Sequence, residues 1–222
     1  DREELKKPTL HVDMPVWADA LDFLTMLESC LDEVCGTAGK LFPDGSWQEI
    51  CRCWKKNYPV VQAKHYERCV ENGAEYANVY AFIRELSSRL APGQITVVGN
   101  GSACVVGSHA YVIKEGQRFI TNSAVASMGY DLPAAIGAWV ADTENSGNLG
   151  GSYGIIKNNA HSDIICVTGD GSIQMNLQEL QTIIHHHMGM KIFVINNGGY
   201  HSIRQTQKNF FGEPLVGIGE DS

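Results

Sequence analysis

Hydrophobic positions in the first 60 residues predict two helices. One apolar stripe has the i, i+4, i+7, i+10, i+14 spacing of a helix face. Its members are Trp17, Leu21, Leu24, Leu27 and Leu31. A second helical pattern over 47–54 ends before Pro59, because proline cannot continue a helix. The Gly- and Pro-containing residues 35–46 between the two patterns predict a loop.

The rest of the chain alternates helix and strand patterns. A helix face over 79–90 precedes a short apolar strand at 95–98. Asp131 is placed to cap a helix that runs through Ala141. The Asn-, Gly- and Ser-rich segment 142–162 predicts a surface insertion.

A βαβ unit follows the insertion, with a strand at 164–168, a helix at 172–187 and a strand at 191–196. Strand, helix and strand in this order predict an α/β fold with a parallel sheet and a right-handed crossover. We therefore assign 1–60 to the end of one domain plus a helical linker, and 61–222 to a second, α/β domain.

Composition and charge exclude two classes of function. The 222-residue chain carries 17 basic and 25 acidic residues, which give a formal net charge of −8 and a pI near 5.4. An acidic chain without a basic run is unsuited to bind nucleic acid through its phosphates. No apolar stretch reaches the ~20 residues needed to cross a bilayer, and no secretory signal is recognisable. We expect no nucleic-acid partner and no membrane partner.

Cysteine and histidine usage favours a cytoplasmic protein. The seven cysteines are an odd number, which together with the missing secretory signal predicts reduced thiols. The run 185–187 consists of three histidines at the end of the predicted helix. Because at least one of them must face solvent there, the run predicts a surface feature rather than a metal site.

Polar motifs follow both strands of the βαβ unit. Gly169-Asp170-Gly171-Ser172 comes directly after the first strand, and Asn196-Asn197 follows the second. Neighbouring parallel strands end at the same sheet edge, so we expect Asp170 and Asn197 to converge. Their oxygens suit Mg²⁺ or Ca²⁺, and the free N–H groups at the start of the helix suit a phosphate. Each motif alone is common turn chemistry, but the pair at this spacing predicts a diphosphate held with a divalent cation.

A family signature is carried by three segments: GDGSIQMNLQELQTIIHHHMGMKIFVINN at 169–197, ASMGYDLPAAIGA at 126–138 and GYHSIRQTQ at 199–207. They resemble the thiamine-diphosphate-dependent enzymes of the acetolactate-synthase-like type. The resemblance covers roughly 60–222, the diphosphate-binding module, while 1–30 resembles the end of the family's central domain. It implies a three-layer α/β/α fold with a mostly parallel sheet, preceded by a helical linker, and a module that is incomplete at its C-terminus.

The resemblance also implies a cofactor site. Asp170, the Asn197 side chain and the Gly199 carbonyl would bind Mg²⁺. The diphosphate would be contacted by Gly101, Ser102, Gly169, Gly171, Ser172, Tyr200 and His201. Met128 would be the bulky residue that bends the cofactor into a V, while its amide and the Ala126 carbonyl hold the pyrimidine ring. The family usually has glycine at the position of Ala126, and the alternative for Met128 is a core methionine before a helix.

The reaction and the partners follow from the same resemblance. The V shape would place the exocyclic amine of the cofactor beside thiazolium C2, where the amine can take the C2 proton and generate a carbanion. The carbanion would add to a 2-keto acid such as pyruvate, which then loses CO₂, and the remaining enamine would attack a second keto acid. A glutamate from the pyrimidine-binding domain of a partner subunit completes the site, which implies a homo-oligomer. No segment here resembles that domain, so we expect a fragment of a larger enzyme that is inactive by itself. Whether the full-length enzyme also uses FAD stays open.

Alternative functions come from three classes. Another thiamine-diphosphate-dependent decarboxylase or oxidase would share the same cofactor module. A non-catalytic module would bind the cofactor without turnover. A dinucleotide-dependent dehydrogenase would use Gly99-Asn100-Gly101, but Cys104 stands where that fingerprint has glycine.

Overall fold

The computed structural model describes residues 2–9, 11–35, 45–71, 73–145 and 164–218. The chain divides into two compact units, Asp1–Pro59 and Val60–Ser222, and each is described by itself. The assignment of the first unit to the end of a central domain stays a prediction.

The first unit contains two α-helices, α1 (Ala20–Cys35) and α2 (Ser46–Asn57). The helix α1 begins after Trp17 because the Asp19 carboxylate accepts a backbone amide of the first turn at 2.8 Å and caps the helix. The helix α2 ends just before the proline at 59, which confirms the predicted stop. Most of the loop predicted between the two helices lies outside the described residues.

The second unit is built around a parallel sheet. A short antiparallel hairpin, β1 (Cys69–Glu71) and β2 (Ala74–Tyr76), comes before it in the chain. The remaining elements are α3 (Val79–Arg89), β3 (Ile95–Val98), α4 (Ser102–Ala110), β4 (Arg118–Thr121), α5 (Asp131–Asn145), β5 (Ile164–Gly169), α6 (Asp170–Gln174), α7 (Glu179–His185), β6 (Met190–Ile195) and α8 (His201–Phe210). The sheet has the strand order β4-β3-β5-β6, and all of its pairings are parallel.

Helices cover both faces of this sheet, which confirms the expected three-layer α/β/α fold. Side chains of β3 and β5 alternate between two hydrophobic cores. Val98 and Val167 pack with residues of α3 and α4, whereas Val97 and Cys166 pack with residues of α5 and α7. Because both faces of the central strands are buried, their sequences are continuous apolar runs rather than alternating patterns.

The predicted helix over 172–187 is wrong in its start and in its continuity. The helix α6 begins at Asp170, and a turn over 175–178 separates it from α7. Backbone hydrogen bonds between residues three apart, as in a 3₁₀-helix, form the turn there. Asn176 in this turn donates to the Gly129 carbonyl at 2.6 Å, so a distant loop stabilises the break.

The prediction that Asp131 caps α5 is also wrong. Asp131 is the first helical residue, and its carboxylate accepts hydrogen bonds from the hydroxyls of Thr168 and Ser172. The helix extends into the first residues of the predicted insertion 142–162, while 146–163 lie outside the described residues. Oδ1 of Asp131 accepts the Leu132 amide at 3.0 Å, so Asp131 contacts the helix start with one oxygen and distant partners with the other.

The histidines at 185–187 are exposed at the end of α7, which confirms the predicted surface run. Within the described residues, no group of three or more His, Cys, Asp or Glu side chains is placed to hold a metal ion. No helix in that part of the chain has the length and apolar composition to cross a membrane.

Cys166 is expected to make the stability of the core depend on pH. Burial and, to a lesser extent, the negative charge of Asp131 raise the pKa of its thiol from 9.0 to about 12. The unfolded chain ionises this thiol at lower pH, so its contribution to stability is complete below pH 9 and is lost as the pH rises toward 12. By pH 11, wild type should therefore lose roughly 3 kcal/mol more unfolding free energy than Cys166→Val. Denaturant titrations between pH 8 and 11 measure this, and equal losses would contradict it.

Candidate functional site

The carboxyl ends of β3, β5 and β6 open into one cleft. It is lined by Asn100, Gly101, Ser102, Met128, Gly169, Asp170, Gly171, Ser172, Asn197, Tyr200, His201, Ser202 and Ile203. Its volume of about 500 Å³ includes the solvent-filled space at its open mouth. A crevice beyond the carboxyl ends of parallel strands is where open α/β sheets bind ligands.

Three helices begin at this cleft: α4 at Ser102, α6 at Asp170 and α8 at His201. The N–H groups in the first turn of a helix carry partial positive charge and attract anions. The helix α6 is short, and the Gly171 amide already donates to Asp170 at 2.8 Å, so α4 and α8 carry most of this effect. Among the described residues that line the cleft, Asp170 has the only acidic side chain. The cleft therefore favours an anion with a cation beside that carboxylate.

Asp170 organises the loop that follows β6. Its Oδ2 accepts the amides of Asn197 and Gly199, each at 2.8 Å, and its Oδ1 accepts the Gly171 amide. The parallel pairing of β5 with β6 brings Asp170 next to Asn197. With one hydrogen bond instead of two, Oδ1 keeps more acceptor capacity for a cation than Oδ2 does.

Arg204 holds the same loop through its carbonyl groups. Its guanidinium donates to the Asn197 carbonyl at 2.9 Å and to the carbonyls of Gly198 and Gly199. The φ angles of the two glycines are +78° and +84°, which a side chain would disfavour. The peptide groups of the loop are thus oriented by a carboxylate that accepts from their amides and by a guanidinium that donates to their carbonyls.

The oxygens at this loop fit a hard divalent cation. Asp170 offers a charged oxygen, and Asn197 Oδ1 accepts only a long hydrogen bond of 3.3 Å from the His201 amide. The Gly199 carbonyl already accepts from Arg204, and Gly199 does not line the cleft. A set of carboxylate, amide and carbonyl oxygens suits Mg²⁺, with Gly199 the least available of the three.

The Met128–Gly129 turn is anchored to the region of α6. The Gly129 amide donates to Ser172 Oγ at 2.8 Å, and its carbonyl accepts from Asn176 Nδ2 at 2.6 Å. Gly129 has a φ of +80°, and a Cβ there would lie 2.7 Å from the Cβ of Met175. Only glycine fits this position, and its fixed backbone determines where Met128 enters the cleft.

Gly171 allows a close approach between walls of the cleft. A Cβ at this position would lie 2.8 Å from Cε1 of the Tyr200 ring and 3.1 Å from Cε of Met128. The half-buried Met128 side chain therefore reaches the loop of Asp170 and lines the cleft.

Ala126 adopts a left-handed conformation with a φ of +55°, which explains a preference for glycine at this position. Its carbonyl accepts from Asn100 Nδ2 at 2.6 Å, and Ala126 itself does not line the cleft. Asn100 thus connects this segment to the end of β3. The sequence did not predict this role, although it pointed to the neighbouring glycines 99 and 101. The other site residues that the sequence did not indicate are Asn176, Ser202, Ile203 and Arg204.

Comparison with known proteins identifies the family of this cleft. Residues 99–221 match the family described as "Thiamine pyrophosphate enzyme, C-terminal TPP binding domain". The chain belongs to the thiamine pyrophosphate enzymes. This match confirms the family inferred from the motifs, and the cleft lies in its cofactor-binding domain.

Curated relatives of this thiamine pyrophosphate enzyme are acetolactate synthases. The large subunit from Porphyra purpurea is 32% identical over 179 residues, which cover 76% of this chain and 24% of that protein. The isozyme 2 large subunit from Escherichia coli K12 is 28% identical over 161 residues, covering 72% and 26%. The chain thus spans about a quarter of the length of the curated relatives it matches. The family match includes Gly99-Asn100-Gly101, so it favours the thiamine pyrophosphate enzymes over the dehydrogenase alternative.

Proposed function

We propose that this chain holds the cofactor diphosphate in an acetolactate-synthase-like enzyme that decarboxylates a 2-keto acid such as pyruvate and joins the product to a second keto acid. The acetolactate synthase relatives support the reaction. The observation that carries the cofactor role is the convergence of helix N-termini, the Asp170 carboxylate and the Met128–Gly129 turn on one cleft.

Each wall of the cleft has a separate task in this proposal. The first turns of α4 and α8 attract the diphosphate, and Asp170 with Asn197 and the Gly199 carbonyl holds Mg²⁺ against it. Bound thiamine diphosphate supplies a nucleophilic carbon and an electron sink for the loss of CO₂. Met128, which lines the cleft and is fixed through Gly129, would support the bent cofactor, and it is the residue that we assign to catalysis.

The remaining parts of the active site lie outside the cleft. In the part of the chain that the structure describes, Asp170 is the only acidic residue that lines the cleft. The glutamate for proton transfer would therefore come from the pyrimidine-binding domain of a partner subunit. This arrangement implies a homo-oligomer that acts on a small-molecule keto acid. We propose a cytoplasmic enzyme because its odd number of cysteines favours reduced thiols. FAD is left open as a further cofactor of the whole protein.

Calorimetry on the full-length protein tests the cofactor role. Thiamine diphosphate with Mg²⁺ should bind, while thiamine, which lacks the diphosphate, should bind far more weakly. Chelation of the divalent cation should release most of the affinity for the diphosphate form. Equal affinities for thiamine and thiamine diphosphate would overturn the assignment of the cleft to the diphosphate.

Met128→Ala is expected to lower turnover well before it weakens cofactor binding, because the diphosphate and the cation supply most of the anchoring. Turnover per bound cofactor and the dissociation constant for thiamine diphosphate measure the two effects separately. Met188→Ala is the matched control, since Met188 packs against the core cluster of Leu132 and Ile183. If Met128→Ala instead behaves like this control, losing stability but not turnover, Met128 is a core residue.

A further inference from the structure

Asp131 is a buried carboxylate directly beneath the cleft. Its exposed fraction is 0%. Its Oδ2 accepts the Thr168 hydroxyl at 2.6 Å and the Ser172 hydroxyl at 2.7 Å, while its Oδ1 accepts the Leu132 amide at 3.0 Å. The two hydroxyl contacts have the short lengths of hydrogen bonds to a charged acceptor. Oδ2 is therefore committed to two distant chain segments, and Oδ1 to the start of α5.

These bonds fix the direction of a hydrogen-bond chain. Because the Ser172 hydroxyl donates to Asp131, its oxygen is left to accept, and it accepts the Gly129 amide at 2.8 Å. Thr168 has a second acceptor, the Gly169 carbonyl, at the longer distance of 3.2 Å. The carboxylate thus keeps both hydroxyls turned inward, and Ser172 Oγ is oriented as the acceptor that Gly129 needs.

The end of β3 also packs against this carboxylate. A Cβ added to Gly99 would lie 2.1 Å from Asp131 Oδ2, so the strand approaches the carboxylate more closely than any side chain would allow. Asp131 therefore contacts the chain where three walls of the cleft begin: the end of β3, the end of β5 and, through Ser172, the Met128–Gly129 turn.

We propose that Asp131 is a positioning residue that fixes the Met128–Gly129 turn against the first turn of α6, at Asp170–Ser172. The inference rests on the proposed function only in one respect, namely that the distance between the Met128–Gly129 turn and α6 matters for a bound cofactor. The hydrogen-bond chain itself belongs to the protein alone. Its consequence is that a neutral side chain at 131 loosens the turn without removing any group that lines the cleft.

Hydrogen exchange of the Gly129 amide in the full-length protein, measured without cofactor, tests the proposal. In Asp131→Asn this amide should exchange about tenfold faster, the effect of losing one charge-assisted hydrogen bond. Ser172→Ala should have the same effect, and the double variant should be no faster than either, because one chain of bonds is broken in each case. Thr168→Val, which leaves the Ser172 bond in place, should change Gly129 much less.

Ile183→Val is the matched control, since it loses a buried methyl group in the core away from the turn. The two variants are compared at an equal loss of melting temperature. If Asp131 has a purely structural role, the exchange rate of the Gly129 amide should rise equally in Asp131→Asn and in Ile183→Val. This outcome would overturn the proposal. If Asp131→Asn does not fold, Asp131→Glu, which keeps the charge but displaces the carboxylate from the Ser172 hydroxyl, decides through the same amide. Faster exchange of this amide supports the proposal, and unchanged exchange overturns it. A wild-type protein that binds no thiamine diphosphate would refute the proposed function but leave the exchange result standing.

Discussion

Asp170→Ala is expected to abolish the Mg²⁺-dependent binding of thiamine diphosphate to the full-length protein. Among the described lining residues, this carboxylate offers the only charged oxygens to a cation. It also accepts the amides of Gly171, Asn197 and Gly199. Its removal takes away one cation ligand. It also releases the loop that carries the two other proposed ligands, the Asn197 side chain and the Gly199 carbonyl. Calorimetry should show a loss of at least ~100-fold, beyond the about 10–100-fold typical of residues that only orient a ligand.

Asp170→Asn separates the charge from the support of the loop. The amide keeps the size of the side chain and one acceptor oxygen, so the fold should persist while cation-dependent affinity is still lost. Glu115→Gln, an equivalent change at an exposed position outside the cleft, should bind the cofactor like wild type. Unchanged affinity of Asp170→Asn in the presence of Mg²⁺ would refute the assignment of Asp170 as a metal ligand.

Local sequence patterns made two features predictable: the parallel sheet, and the proximity of the polar segments that follow β5 and β6. The strands β3 and β5 are buried on both faces, so their sequences are short apolar runs, and a βαβ unit places consecutive parallel strands together. A motif directly after each strand therefore had to reach the same edge. The short strand β4 escaped prediction because it begins with Arg118 and is only partly buried.

Other features depend on partners that are distant in the sequence, and no local pattern shows them. The break between α6 and α7 is held by the bond from Asn176 to Gly129, 47 residues away. Asp131 has the sequence position of a helix cap, yet its partners Thr168 and Ser172 lie 37 and 41 residues further along. Arg204 looks like an ordinary charged residue of an amphipathic helix until the fold brings the loop carbonyls to its guanidinium.

The 222-residue chain alone is expected to release no CO₂ from pyruvate, even with saturating thiamine diphosphate and Mg²⁺. The cleft offers one acidic side chain, Asp170, and its carboxylate is committed to the loop and to the proposed cation. None of the other described lining residues has a carboxylate that could relay a proton to the cofactor. A cleft open to solvent would also leave the aminopyrimidine in water, so the affinity for the cofactor should be weak.

The same chain is expected to self-associate. Phe210 and Phe211 at the end of α8 are 79% and 84% exposed, and Ile203 on the same helix is 39% exposed. Exposed apolar surface of this kind drives association unless another surface covers it. Light scattering should therefore give a mass above the 24.3 kDa of one chain, and an assay of CO₂ release on the same sample should show none. Robust turnover would mean that the catalytic carboxylate lies within this chain and that no partner domain is needed, whereas a monomeric mass would contradict only the expected association.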